Sequence, residues 1–171
     1  MYNLPLIRTG RLQLRKLTPN DLSALRQYAD HPRVSENVLN IPHPYREHHA
    51  ALRLSYVVQG LKKETHYIFA IIHNERKELI GEISLHRGGK PGLAELAYWI
   101  GEPFWGNGYA TEAARAVVRF GWENLGLHII VGSCKISNPA SARVLEKAGL
   151  REGKVWSGTR YYQLEHPDHK E

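Results

Sequence analysis

Two strand-like segments, residues 93–101 ("LAELAYWIG") and 128–136 ("HIIVGSCKI"), flank one stretch of helical character, "FWGNGYATEAARAVVRFGWE" at residues 104–123. Within that stretch Ala113, Val117, Phe120 and Gly121 recur at three- and four-residue steps, so one face is built to lie on a sheet. A strand, a covering helix and a second strand in the same sheet make a crossover, and crossovers run parallel. The preceding segments, "HYIFAII" (66–72) and "ELIGEISLH" (78–86), are joined by the short polar "HNERK" and read as an antiparallel pair. Parallel and antiparallel neighbours together predict a mixed sheet and an α+β fold.

The rest of the chain supplies further elements. "RLQLRK" (11–16) alternates like a half-buried strand, and Thr18 and Pro19 stand as N-cap and first residue of a helix that ends near Asp30. His31-Pro32 stops it. Residues 33–46, with Pro42 and Pro44, read as an irregular loop suited to a substrate lip, and residues 47–60 as a second helix. A short helix is expected over 139–148 and short strands around Val155 and over 161–164. A chain of 171 residues that is 42% hydrophobic and 23% charged has the composition of one globular domain spanning 1–171. The formal net charge of +6 favours an anionic partner, while the scatter of Lys and Arg argues against a nucleic-acid-binding tail. One cysteine, Cys134, excludes an internal disulfide and a CxxC zinc site, and no segment approaches the roughly 20 apolar residues needed to span a bilayer. A cytoplasmic protein without membrane contact is expected. His48-His49 lack the HExxH spacing, so no metal site is expected.

Gly106-Asn107-Gly108 opens directly into the central helix. The first amides of a helix have no intrahelical acceptor, and glycines let a ligand approach the backbone, which together make an anion site. A P-loop would need Gly-Lys-Ser/Thr at the helix entry, and a dinucleotide fingerprint would need a third small residue where Thr111 stands; neither fits. A tight turn without a ligand remains the plain alternative.

"AELAYWIGEPFWGNGYATEAARAVV" followed by "NPASARVLEKAGLREG", with the opening "TGRLQLRKLTPNDLSALRQYADHPRV", resembles the GNAT superfamily of acyl-CoA-dependent N-acetyltransferases, in the branch similar to RimJ and RimL. The resemblance implies a mostly antiparallel mixed sheet of six to seven strands with a central splay, flanked by about four helices. It implies acetyl-CoA as co-substrate, no metal, and direct acetyl transfer to a primary amine, either a polypeptide N-terminus or a small molecule. The pyrophosphate would meet the amides of Gly106, Asn107, Gly108, Tyr109 and Ala110, with Trp105 and Thr111 at the ends of the loop. Trp105 stands where much of the superfamily has Gln or Arg. The oxyanion donor would be a backbone amide among Ala97, Tyr98 and Trp99, and Tyr98, Trp99 and Ile100 would line the cofactor path.

The same resemblance assigns the remaining site residues. Asn138, an N-cap before Pro139 in its own right, would also touch the pantetheine arm. Ser141 would assist the departing thiolate, since Leu145 occupies the position where many relatives carry a proton-donating Tyr. Glu95 would accept the amine proton, with Glu82 on the neighbouring strand as its rival; alternation puts Leu93, Glu95, Ala97 and Trp99 on one face. Asn37, His43, Tyr45 and Glu82 are the substrate-binding candidates. A non-catalytic RNA- or ribosome-binding domain that stacks bases on Trp99, Trp105 and Trp122 is the alternative function, although core packing explains those positions and no stable nucleic-acid complex is expected. Monomer and homodimer both remain open.

Overall fold

The computed structural model describes residues 3–38 and 40–169. Its centre is a single eight-stranded sheet in the order β1-β2-β3-β4-β5-β6-β8-β7. The strands are β1 (Ile7–Arg8), β2 (Leu12–Arg15), β3 (His66–His73), β4 (Leu79–Arg87), β5 (Leu93–Ile100), β6 (Ile129–Lys135), β7 (Arg151–Trp156) and β8 (Thr159–Glu165). Every neighbouring pair is antiparallel except β5 and β6, which are joined by the helical crossover and run parallel. The helices are α1 (Leu22–Ala29), α2 (Pro32–Asn37), α3 (Glu47–Lys63), α4 (Tyr109–Leu125) and α5 (Pro139–Lys147).

Two elements exceed the sequence expectation: the two-residue strand β1, too short to show an alternation, and α2. Residues 33–46 were expected to be irregular throughout, yet α2 occupies their first part. Pro32 sits at its first position, and the His31 ring accepts from the Arg33 amide as an N-cap. With only Val34 buried, the six-residue helix has no apolar periodicity to announce it.

The core follows from strand alternation. On one face, Tyr67 and Phe69 of β3 meet Phe120 of α4 edge-on, with centroids 6.1 and 5.1 Å apart. The predicted sheet-facing residues Ala113, Val117, Phe120 and Gly121 are all buried. A Cβ on Gly121 would come within 3.0–3.2 Å of Leu127, Leu85 and Ile130, so α4 approaches the sheet as closely as a bare backbone allows. Helices α1 and α3 cover the opposite face against β3 and β4, and α5 packs beside α4 against β6.

The break in this sheet positions the site. Strands β5 and β6 pair only from Leu93 to Glu95 against Ile129 to Val131, after which β5 continues to Ile100 paired with β4 alone. The two strands diverge there, giving the expected splay.

Candidate active site

The Gly101 amide donates to the Ile80 carbonyl across β4, so alternate residues back along β5, among them Trp99 and Ala97, point their amides toward β4 as well. The amides of Tyr98 and Leu96 therefore point the other way, toward β6. Beyond Glu95 no β6 partner remains, which leaves the Tyr98 N–H directed into the splay. The Ile100 carbonyl shares that side, and it accepts from the Trp105 indole at 2.7 Å. Of the amides of Ala97, Tyr98 and Trp99, strand alternation directs only that of Tyr98 into the splay.

The splay opens into a cavity of about 860 Å³, bounded by β5, the glycine turn, α2, and the start of α5. Gly106 and Gly108 have φ of +75° and +78°, the left-handed region that side chains disfavour. Side-chain packing shapes the turn: Asn107 Nδ2 donates to the Phe104 and Trp105 carbonyls at 3.0 and 3.1 Å. Among the described residues, the six successive amides from Gly106 to Thr111 have no acceptor, and the first helical bond runs from the Glu112 amide to the Gly108 carbonyl. A helix start ordinarily leaves four such donors. Arg33, Lys135, Arg143 and Lys147 add positive charge to the lining against one carboxylate, Glu36. Donors and charge alike suit a polyphosphate.

At the far side of the cavity, Asn138 caps α5 by accepting from the Ser141 amide at 3.2 Å, while its Nδ2 has no acceptor among the described residues. The cap thus engages only the oxygen end of the amide group. Ser141 Oγ lies 2.6 Å from the Tyr98 hydroxyl. Burial raises the Tyr98 phenol well above its ordinary range, a shift the Ser141 bond only partly opposes, so the phenol stays protonated and able to donate. Lys135 Nζ donates to the Glu36 carbonyl and ties α2 across the mouth of the cavity.

The other face of β4 and β5 carries a different kind of site. Glu82, 2% exposed, accepts from Arg53 Nη2 at 3.0 Å and from the Trp99 indole at 2.8 Å. Burial, the largest single influence, would lower the Arg53 guanidinium, but the charge and the hydrogen bonds of Glu82 together outweigh it and raise the group. Tyr45 lies in the same buried region, and burial, with Glu82 second, pushes its phenol up to about 12. His86 pairs with Ser84 at 2.9 Å, and burial, reinforced by His66 and Arg53, lowers the ring to about 4. Glu95, the cross-strand partner of His86, is exposed and shares this face with Trp99 and Glu82.

A family model described as an acetyltransferase (GNAT) domain matches residues 11–151. The chain belongs to the GNAT acetyltransferase family. It is 32% identical over 170 residues to the N-acetyltransferase YoaA of Bacillus subtilis, spanning 92% of each chain. It is 30% identical over 146 residues to the N-acetyltransferase p20 of Bacillus licheniformis, spanning 84% of this chain and 81% of that one. Among solved structures, the ribosomal-protein-S5-alanine acetyltransferase of Vibrio fischeri superposes with a TM-score of 0.82 at 17% identity, covering 98% of this chain and 100% of the other. RimL, the ribosomal L7/L12 α-N-protein acetyltransferase in complex with coenzyme A, superposes at 0.79 with 16% identity, covering 94% and 98%. Both superpositions show a shared fold.

Within this GNAT domain the residues singled out by sequence divide into two groups. Tyr98, Trp99, Ile100, Trp105, Gly106, Gly108, Tyr109, Ala110, Thr111, Asn138, Ser141 and the acceptor candidate Asn37 all line the cavity. Asn107 does not; its side chain is turned back to brace the loop. His43, Tyr45, Glu82 and Glu95 also lie outside the lining. His43 pairs with Asp30 at 3.0 Å on the surface, and Glu82 is engaged by Arg53 and Trp99. Sequence reasoning gave Tyr98 a binding role and missed the proximity of its hydroxyl to Ser141. The available signal was strand alternation, which puts Tyr98 opposite Glu95, on the face that α4 and α5 cover. Leu145 is 1% exposed and belongs to the core, so the Tyr98 hydroxyl stands beside Ser141 without any tyrosine on α5. Among the described residues no group of three or more metal-ligating side chains occurs, and no helix is long and apolar enough to cross a membrane.

Proposed function

We propose that this chain transfers the acetyl group of acetyl-CoA directly to a primary amine, on a polypeptide N-terminus or a small molecule. The observation that carries this reading is the run of six unpartnered amides, Gly106 to Thr111, at one end of a cavity that reaches the β5–β6 splay at the other. The amides and the surrounding cations bind the pyrophosphate, and Asn138 Nδ2 is placed for the pantetheine arm. The co-substrate supplies an acetyl group already activated as a thioester. The Tyr98 N–H meets the carbonyl oxygen as negative charge develops there, an arrangement worth about 2.7–4 kcal/mol per donor in other acyl transfers. Ser141 Oγ gives a hydrogen bond to the departing sulfur and is itself supported by the Tyr98 hydroxyl. Glu95, exposed on the opposite face of the splay, accepts the amine proton directly or through water.

The ribosomal-protein acetyltransferases that share this fold support a polypeptide acceptor. A panel of peptide N-termini, polyamines, amino acids and aminoglycosides, each incubated with acetyl-CoA and read by thiol release, tests the function. The expected result is amine-dependent release with one acceptor class preferred. Release from none of them, by protein that binds coenzyme A, contradicts a transferase acting on primary amines.

A further inference from the structure

Arg11 immediately precedes β2, far from the cavity in sequence, yet its guanidinium reaches the glycine turn. Nη1 donates to the Asn107 carbonyl at 2.7 Å and Nε to Glu112 Oε2 at 2.7 Å, while the Arg11 amide donates to Glu112 Oε1 at 2.7 Å. Thr9 Oγ1 donates to the same Oε1 at 2.6 Å. The guanidinium also lies 4.6 Å above the Tyr109 ring, whose hydroxyl is 2.9 Å from His73 Nε2. Arg11 is thus fixed on three sides. It lines a neighbouring groove with Arg8, Arg115 and Arg119 and is absent from the lining of the main cavity, whereas Gly108 borders both.

A trans peptide is planar, with its carbonyl and its following amide pointing in opposite directions. A carbonyl held toward the groove by Arg11 therefore turns the next amide, that of Gly108, toward the cavity. We propose that Arg11 is a positioning residue for the co-substrate: anchored by Glu112, it holds the Asn107 carbonyl and so aims the Gly108 amide at the pyrophosphate. This rests on the acetyl-CoA reading above. Glycine at 108 gives the turn its left-handed conformation but leaves the adjoining peptide free to rotate, and Arg11 removes that freedom. Glu112 already receives the Thr9 hydroxyl and the Arg11 amide, and a released Asn107 carbonyl is free to bond water. The guanidinium, 48% exposed, therefore has little part in overall stability.

Calorimetric titration with coenzyme A of the wild type, Arg11→Ala and Arg11→Lys tests the proposal, alongside amide NMR of the unliganded proteins. Lysine keeps the charge but cannot bridge Glu112 and the Asn107 carbonyl through two separate nitrogens. Both variants should bind at least about tenfold more weakly. The Gly108 amide resonance should move in both. The Gly106 amide, whose preceding carbonyl is held by Asn107 Nδ2, should stay in place. Unchanged affinity in both variants, or an unmoved Gly108 resonance, overturns the proposal. Affinity retained by Arg11→Lys and lost by Arg11→Ala also overturns it, in favour of simple charge attraction. A wild type that binds no coenzyme A removes the transferase reading and the proposal together, whereas a binding wild type with equally binding variants removes the proposal alone.

Discussion

The two sides of the β5–β6 splay treat their polar groups in opposite ways. On the glycine-turn side six amides and the Asn138 Nδ2 are left without acceptors among the described residues, in a cavity with a surplus of positive charge. On the side covered by α1 and α3 the buried polar groups satisfy one another: Glu82 with Arg53 and Trp99, Ser84 with His86, His66 with the Tyr56 carbonyl. A site that waits for a charged ligand keeps its donors unspent, whereas a scaffold consumes them. The contrast supports the proposal that the first side receives a large anion. It assigns the Arg53–Glu82 pair to holding α3 against β4 and leaves Glu95 as the free carboxylate on the second side.

The largest expected effect tests the scaffold assignment. Arg53→Ala strands the Glu82 carboxylate in the core and should cost about 3–5 kcal/mol of stability, measured by denaturant unfolding. A loss below about 1 kcal/mol would mean that the pair is open to solvent or ligand, and the contrast between the two sides would fail.

Glu95→Gln should next reduce turnover roughly a hundredfold at low pH. Activity should recover in part as pH rises, because an α-amine with a pKa near 8 is only about a tenth neutral at pH 7 and deprotonates unaided above that. A pH–rate profile identical to wild type would remove Glu95 as the base.

Ser141→Ala should lower turnover about tenfold through loss of one hydrogen bond to the sulfur, with coenzyme A affinity little changed. Equal turnover would exclude Ser141 from the chemistry. Asn138→Ala should cost about 0.5–2 kcal/mol of stability through the lost cap and also weaken coenzyme A binding. A stability cost without a binding cost would confine Asn138 to its structural role.

A separate test of the scaffold side concerns His86. With its folded pKa near 4, below the unfolded value of about 6.5, the folded protein binds less proton through that interval. Stability should therefore be intact above pH 6.5 and fall as the pH drops toward 4. His86→Gln should reduce that slope in urea titrations. An undiminished slope would place the proton uptake elsewhere.

The legibility of the sequence follows the same division. Long periodic segments declared themselves: α4 was readable from the spacing of Ala113, Val117 and Phe120, and the parallel crossover followed from its place between two strands. The glycine turn proposed as the anion site was legible because Gly106 and Gly108 adjoin the helix start directly. Helix α2 was hidden because only Val34 of its six residues is buried. The Tyr98–Ser141 contact and the Arg11 clamp join residues 43 and 96 positions apart, and nothing local encodes them. Glu82 and Glu95 look alike as sequence, each a carboxylate on a strand. Only the arrival of Arg53 from α3 and of the Trp99 indole separates the consumed one from the free one.

Coenzyme A titration of Gly108→Val beside the wild type tests the central claim most directly. A β-branched side chain at φ +78° is strained, by about 1–2 kcal/mol, which a domain of ordinary stability survives; circular dichroism and the thermal midpoint verify the fold. Should the Gly106–Thr111 amides hold the pyrophosphate, the folded variant will bind coenzyme A at least about a hundredfold more weakly than wild type, because the side chain blocks the approach to the backbone and shifts the peptide that Arg11 holds. Equal affinity in a folded Gly108→Val protein would contradict the assignment of this turn to the co-substrate.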